Sequence, residues 1–255
     1  MKIVRYKKMS KGRYKLTLDN TELILYEDVI LKNNLLRTSN INLELLEKVM
    51  NENIYYEIYN MALTYIEIKM RTSKEIKDYL NKKNFNTKLV DEVLDRLNKE
   101  GYLNEEKYID AFVNDKVNLT NWGPYKIKKS LLDLELDETL INNKLNTISE
   151  NIWNGKIEKI INKKLNSLKN KSNYMIKNKL KIDLYNLGYD NNSIEENLNK
   201  LNLNNNENIK KEYSKAYNKY SKKYMDQELY QKVKSYLYRK GYKIEEINYM
   251  LDNLE

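Results

Sequence analysis

The chain contains no cysteine and no histidine. Without thiols there is no disulfide, no thiolate nucleophile and no cysteine-rich zinc site. Without imidazole, the commonest metal ligand and the side chain that titrates near neutrality are both missing. One proline and six glycines among 255 residues leave too little turn chemistry for a sandwich of many short strands. No apolar run reaches the roughly 18 residues of a membrane span and no signal-peptide pattern opens the chain, so a soluble cytoplasmic protein with no membrane partner is expected. A glycine-rich phosphate loop is absent too, which argues against nucleotide hydrolysis.

What is abundant is lysine, asparagine and tyrosine, the last 23 times, with a net charge of +9. Basic minus acidic residues count 10−6 over residues 1–50, 9−9 over 51–100, 6−9 over 101–150, 10−5 over 151–200 and 11−8 over 201–255. Both ends are basic and the middle is not. This suits a nucleic-acid or nucleoprotein partner, and equally a merely lysine-rich composition.

The apolar residues are organised as a repeat. With Leu80 as origin, Ile76, Leu80, Phe85, Val90, Leu94 and Leu97 stand at offsets −4, 0, +5, +10, +14 and +17. The same offsets fall on Ile127, Leu131, Leu136, Ile141, Leu145 and Ile148; on Leu180, Leu184, Tyr189, Ile194, Leu198 and Leu201; and on Val233, Leu237, Tyr242, Ile247, Leu251 and Leu254. Offsets −4 and 0 share one face of a helix, and +10, +14 and +17 share one face of a second. Between them, at +4, stand Asn84, Glu135, Gly188 and Gly241. Asn and Gly suit the left-handed residue that ends a helix, whereas Glu135 does not. A further helix precedes each pair, carrying Tyr59, Ala62, Leu63, Tyr65 and Ile66 in the first copy, Tyr108, Ala111 and Phe112 in the second, Ile157, Ile160, Ile161 and Leu165 in the third, and Tyr213, Ala216, Tyr217 and Tyr220 in the fourth. Three helices in about 50 residues, repeated four times, predict a mainly α fold of stacked units forming an elongated curved array.

Residues 1–50 differ. Ile3–Lys7, Arg13–Leu18 and Glu22–Leu25 read as strands, with Ser10-Lys11-Gly12 and Asp19-Asn20 as turns, so a small hairpin or three-stranded meander is expected. Asp28 and Asn42 are positioned to cap two short helices, the second holding Leu43, Leu45, Leu46, Val49 and Met50, and Ser73 to cap the helix of Ile76 and Leu80. Asn104 reads as the next cap, and Pro124 fits the first turn of a helix. Lys169-Asn170-Lys171 and Asn204-Asn205-Asn206 read as loops between helices. The resulting division is 1–50, then repeats at 51–103, 104–150, 151–203 and 204–255.

These residues resemble the RecX family, bacterial regulators of the RecA recombinase. The resemblance rests on Arg71-Thr72-Ser73-x-x-Ile76 leading to Leu80, on Gly101-Tyr102-Leu103-Asn104-Glu105-x-x-Tyr108-x-x-Ala111-Phe112, on Trp122-Gly123-Pro124-x-x-Ile127-x-x-x-Leu131, and on Leu237-x-x-x-Gly241-Tyr242. Arg13-Tyr14-x-Leu16 with its hairpin pattern is similar to the longer members. Asn104 and Glu105 stand where the family commonly carries two Asp, and Glu135 where Gly is usual. The resemblance implies a non-enzymatic protein, without cofactor or metal, that lies in the groove of the RecA filament on single-stranded DNA and limits its extension, ATPase, strand exchange and co-protease activity. DNA repair by homologous recombination and the SOS response are the implied setting, and a monomer is expected. The alternative is a helical-repeat protein that acts on DNA directly.

Candidate contacts follow from the columns. Offset −3 is lysine in every copy, Lys77, Lys128, Lys181 and Lys234, and offset −5 adds Lys126, Lys179 and Lys232. Stacked in register these would form a basic ridge; singly, each is an ordinary solvated lysine. Tyr185 and Tyr238, both at +1, share the face of the −3 lysines, and Arg71, Lys129 and Arg239 complete the candidate set. The other tyrosines read as packing, with Tyr65, Tyr108 and Tyr217 on inward faces. The carboxylate pairs Asp91 with Asp95, Glu195 with Glu196 and Glu245 with Glu246 read as solvated faces rather than metal sites.

Overall fold

The first eighteen residues fold on a glycine turn. In the computed structural model, which describes residues 1–19, 21–204 and 206–253, β1 (Ile3–Lys8) and β2 (Arg13–Leu18) are joined through Lys11 and Gly12, both at positive φ, and β3 (Glu22–Tyr26) completes an antiparallel sheet in the order β1-β2-β3. Tyr6 faces Leu16 and Leu16 faces Leu23 across the sheet. The three-stranded meander expected from the alternation is therefore present. Asn20, Asn205 and Leu254, which the turn and repeat readings included, lie outside the described residues.

Among the described residues thirteen α-helices follow: α1 (Glu27–Lys32), α2 (Leu43–Ile68), α3 (Ser73–Asn81), α4 (Thr87–Lys99), α5 (Glu105–Leu119), α6 (Pro124–Leu132), α7 (Glu138–Asn146), α8 (Glu150–Leu168), α9 (Asn173–Asn186), α10 (Asn191–Asn199), α11 (Asn206–Tyr220), α12 (Asp226–Arg239) and α13 (Ile244–Asp252). The fold is mainly α with a small N-terminal sheet. The chain divides into two compact units, Met1–Tyr108 with Leu134–Leu136, and Ile109–Asp133 with Asp137–Glu255.

Of the 23 described positions in the apolar columns, 17 are buried and the other six half-buried; none is exposed. The column pattern is thus the core pattern. In the first unit, Ile76 and Leu80 of α3 and Val90 and Leu97 of α4 pack on Ile58, Tyr59 and Ala62 of α2. A second cluster joins the sheet, through Leu16, Leu18 and Leu25, to Val29 and Ile30 of α1 and Val49 of α2. In the second unit Val233, Leu237, Tyr242, Ile247 and Met250 close on Ile209 and Ala216 of α11. Each fully buried Leu, Ile or Val is worth roughly 1.5–3 kcal/mol of transfer free energy, so these stripes hold the helices together.

Several local expectations need correcting. The helix capped by Asn42 does not stop before the first repeat. It runs unbroken for 26 residues, so that its first half serves the sheet and its second half the α3–α4 pair. No Gly or Pro interrupts Leu43–Ile68, and nothing in that stretch stops helix propagation. The cap of α3 is Thr72, one residue before Ser73; its hydroxyl accepts from Glu75 N–H at 3.1 Å while the Glu75 carboxylate accepts from Thr72 N–H at 3.0 Å, a complete capping box. Helix α1 begins at Glu27, before Asp28, on Tyr26 with no side-chain cap. Asn42 and Asn104 do act as caps, and Pro124 occupies the first turn of α6. Tyr217, read as inward, is 43% exposed, since Glu212 and Ala216 take the buried face of α11.

Candidate partner-binding face

All four residues at +4 are left-handed: Asn84 at φ 61°, Glu135 at 58°, Gly188 at 88° and Gly241 at 85°. Glu135 is no exception, although its Cβ makes the conformation unfavourable by roughly 1–2 kcal/mol. Lys74, in the first turn of α3, donates to its carboxylate, and that charge-assisted hydrogen bond holds the residue in place. The Glu135 carboxyl is held below the usual range by the Lys74 ammonium.

The same placement recurs twice in the second unit. Gly188 lies against the start of α6, where Gly123 N–H donates to Leu187 O at 2.7 Å and Tyr125 N–H donates to Gly188 O at 3.0 Å. A Cβ on Gly188 would meet Lys126 N at 2.4 Å, and one on Gly123 would meet Gly188 O at 2.5 Å. Tyr189 then folds back, its hydroxyl donating to Asn121 O at 3.2 Å. At the start of α9, Ser172 Oγ donates to Lys240 O at 2.8 Å, and a Cβ on Gly241 would meet Ser172 Oγ and Met175 Cγ at 2.8 Å. In each case the left-handed turn of one helix pair seats on the corner where the preceding middle helix begins, and its carbonyls satisfy donors there.

This arrangement decides what surrounds each basic candidate. Lys77 pairs with Asp91 at 2.7 Å, Lys128 with Glu138 at 2.6 Å and Lys181 with Glu195 at 2.6 Å, each tying a middle helix to the next helix of its own pair. Lys234, the fourth of that column, faces the ring of Tyr230 at 5.8 Å. Lys179 pairs with Asp183 at 2.9 Å, which also accepts from Lys164 at 2.5 Å. Burial works against the Asp183 charge, but the two ammoniums prevail and hold its carboxyl below the ordinary value. Arg71 turns inward. Its guanidinium lies 3.7 Å from the centre of the Tyr65 ring and 3.2 Å from Glu75, and its side chain is 12% exposed. Arg239 donates to Ser235 O at 3.3 Å, and Lys232 lies 5.0 Å from the Tyr224 ring centre. The carboxylate pairs are occupied in the same structural way, Asp91 and Glu195 by these lysines and Glu246 in the capping box of α13.

Three candidates do converge. Lys126, Lys129 and Tyr185 line one surface groove of about 590 Å³ with Tyr125, Asn186 and Asp190, beside the Gly188 turn. Tyr125 and Tyr185 are each 62% exposed. Among the described residues neither Lys126 nor Lys129 has a carboxylate in ion-pair reach; Lys126 instead lies 4.8 Å from the Trp122 ring centre. The Gly241 turn repeats the theme. Tyr174 and Tyr238 are each 60% exposed, and Tyr174 lies close enough to Gly241 that a Cβ there would meet its ring at 3.2 Å. Tyr125 and Tyr174 both stand two residues after their helix cap, Gly123 and Ser172. They share no column, because Tyr125 stands six residues before Leu131 and Tyr174 ten before Leu184, α9 being the longer helix. Also missed was Glu212, a carboxylate 8% exposed that accepts from Tyr236 Oη at 3.1 Å and pairs with Lys215 at 2.6 Å and Lys240 at 3.2 Å. Burial opposes its charge, yet these three donors hold its carboxyl below the ordinary range.

Residues 59–97 match the model of the first three-helix domain of RecX, and residues 205–251 that of the third. A regulatory protein RecX from Streptococcus agalactiae serotype Ia is 33% identical over 253 residues, covering 97% of each chain. The chain belongs to the RecX family. Another regulatory protein RecX, from Halalkalibacterium halodurans, is 28% identical over 260 residues, with 98% of each covered. A crystal structure of a regulatory protein RecX shares the fold with a TM-score of 0.66 at 20% identity, covering 76% of this chain and 97% of that one. A second, of RecX from Lactobacillus salivarius, gives 0.53 at 24% identity over 58% and 96%. The family is a regulatory one. Among the described residues no helix is long and apolar enough to cross a membrane.

Proposed function

We propose that the chain is a non-enzymatic, cytoplasmic modulator of the RecA recombinase that lies in the groove of the filament on single-stranded DNA. Its effect is inhibition: limited filament extension, ATPase, strand exchange and co-protease activity, within DNA repair and the SOS response. The three-helix units 51–103, 104–150, 151–203 and 204–255 act as successive contacts, so that each added contact forms at high effective concentration. The observation that carries this reading is the groove beside the Gly188 turn, lined by exposed Tyr125 and Tyr185 with Lys126 and Lys129, which among the described residues have no carboxylate in ion-pair reach. Its counterpart beside Gly241, with Tyr174 and Tyr238, gives the surface a repeat that matches a repeating partner.

Because Lys77, Lys128 and Lys181 are neutralised locally, the lysines of that column act chiefly as ties between helices. The contact falls to Lys126, Lys129, Lys232, Lys234, Tyr185 and Tyr238, together with Tyr125 and Tyr174. The decisive measurement is RecA ATPase and strand exchange on single-stranded DNA at increasing amounts of protein, beside gel shifts on bare DNA. Lys126→Glu with Lys129→Glu is expected to raise the half-inhibitory concentration about tenfold, the equivalent of roughly 1.4 kcal/mol, with the circular dichroism unchanged. Inhibition untouched by the double variant would remove the groove from the interface. Exposed tyrosines beside lysines also suit stacking on bases and phosphate contact. Direct action on DNA is therefore the second reading, and it predicts inhibition only once bare DNA is saturated.

A further inference from the structure

Three times within the chain a left-handed turn meets the first turn of a middle helix: Glu135 by its side chain on Lys74 of α3, Gly188 by its carbonyl on α6, and the Gly241 turn by the Lys240 carbonyl on the α9 cap Ser172. A fourth middle helix, α12, follows α11 in the last repeat, and among the described residues no turn sits on its start. Its cap residue Met225 makes no side-chain capping bond and is 80% exposed. Gly123 likewise offers no side-chain cap to α6, and there the missing acceptor is the carbonyl of Gly188 in the seated turn. Around Met225 the corner opens into a cleft of about 460 Å³ lined by Tyr213, Tyr217, Tyr224, Leu229 and Tyr230. Tyr217 and Tyr230 are exposed on its wall, at 43% and 39%. Asp226 lines the cleft, Asp226 and Glu228 both lie exposed in the first turn of α12, and Asp226 is itself strained at φ 47°.

One turn of the required kind is also unused. Asn84, between α3 and α4, has the left-handed conformation of the other three, and Lys82, Lys83 and Asn84 are all exposed. The backbone N–H of Asn84 closes locally on Asn81 O at 2.9 Å, as that of Gly188 closes on Tyr185 O at 2.9 Å, so the turn is already formed. Its two lysines match in charge the two carboxylates in the first turn of α12.

We infer that the α3–α4 turn of one copy of this chain seats on the α11–α12 corner of a second copy. This would repeat between molecules the contact made three times within one. The Asn84 carbonyl takes the position over the first turn of α12 that the Gly188 carbonyl takes over α6, Met225 is covered, and Lys82 and Lys83 face Asp226 and Glu228. A turn and a corner are different surfaces, so the contact is head to tail, and it builds a closed ring or an open chain of copies according to the rotation it imposes. The surface is small, so the association is weak in free solution and strengthens where copies are held side by side. The sequence gives no reason to expect more than a monomer; the open corner supplies one. The inference does not depend on which partner the rest of the surface binds.

Sedimentation equilibrium of the full chain from micromolar to near-millimolar concentration tests it. The weight-average mass is expected to climb with concentration from the monomer's 30.7 kDa to at least that of a dimer. Lys82→Glu with Lys83→Glu in one variant, and Asp226→Lys with Glu228→Lys in another, are each expected to stay monomeric with unchanged circular dichroism. Mixed in equal amounts they are expected to regain association, because the reversed charges again oppose each other. A wild-type mass that stays monomeric throughout overturns the inference. So does association that survives in both variants, or a mixture that fails to recover it.

Discussion

The left-handed turns show how much a single atom decides. At Gly188 an added Cβ would strike the Lys126 backbone, which belongs to a helix start and has nowhere to move. At Gly241 it would strike side-chain rather than backbone atoms, Met175 Cγ of a flexible chain that can swing aside and Ser172 Oγ, which can give way only by loosening its bond to Lys240 O. Gly188→Ala is therefore expected to destabilise by about 3 kcal/mol, the sum of left-handed strain and overpacking, and Gly241→Ala by about 1–2 kcal/mol. Glu135 reverses the sign. Its side chain is solvated, so Glu135→Gly removes the strain and loses only an exposed ion pair. The midpoint of thermal unfolding should rise for Glu135→Gly and fall most for Gly188→Ala. Equal losses at Gly188 and Gly241 would mean that the α6 corner relaxes as easily as the α9 corner. Asn84, Gly188 and Gly241 were legible as turn residues from their type. Glu135 was not, because its conformation depends on Lys74, 61 residues away.

At the scale of elements, the caps separate what local patterning settles from what it leaves open. Ser73 and Thr72 are both chemically able to cap α3, and the choice falls to whichever residue can adopt extended backbone with a carboxylate three residues on. Thr72 has Glu75 there, at φ −84° and ψ 160°. Thr72→Ala should then destabilise by about 1 kcal/mol and Ser73→Ala by a few tenths, read by urea unfolding. A larger loss at Ser73 would return the cap to it. The length of α2 makes a second prediction. Asn51 is exposed in mid-helix, at the point where the sequence suggested a break between the N-terminal block and the first repeat. In a connecting loop a proline would be tolerated. In a continuous helix Asn51→Pro removes a backbone hydrogen bond and clashes with the preceding turn, at a cost of about 3 kcal/mol. It should also expose the α2 amides near Asn51 to hydrogen exchange.

For the molecule as a whole, stability depends on carboxylates that stay charged while partly buried. Burial raises the pKa of Glu75 and Glu212, but the Thr72 N–H, Lys69 and Arg71 at the first, and Lys215, Lys240 and Tyr236 at the second, outweigh it, so both are lowered from 4.5. Asp183 is likewise lowered from 3.8 by Lys164 and Lys179. A group whose folded pKa lies below its unfolded value stabilises fully above the unfolded value and loses that contribution as pH falls through the folded one. Stability is thus expected to be flat above about pH 4.5 and to fall steeply below it. Glu212→Gln should flatten the fall, because a neutral amide no longer titrates there. Urea unfolding midpoints between pH 7 and pH 2.5 check this, and an unchanged slope in Glu212→Gln would assign the acid sensitivity to the other carboxylates.

The sequence by itself determined the repeat, the buried face of each column helix, the N-terminal sheet and the family. A stripe of apolar residues at helical spacing can be buried in one way only, and the spacing is written along a single stretch of chain. Tertiary structure decided the rest: that Lys77, Lys128 and Lys181 are neutralised while Lys126 and Lys129 are left to line a groove with Tyr125 and Tyr185, and that the turns at Gly188 and Gly241 land on the starts of α6 and α9. Those pairings join residues from 10 to 68 positions apart. Nothing in a local period specifies which lysine will meet a carboxylate. The outcome is set when the apolar stripes pack and carry the polar rims to wherever the stacked helices place them.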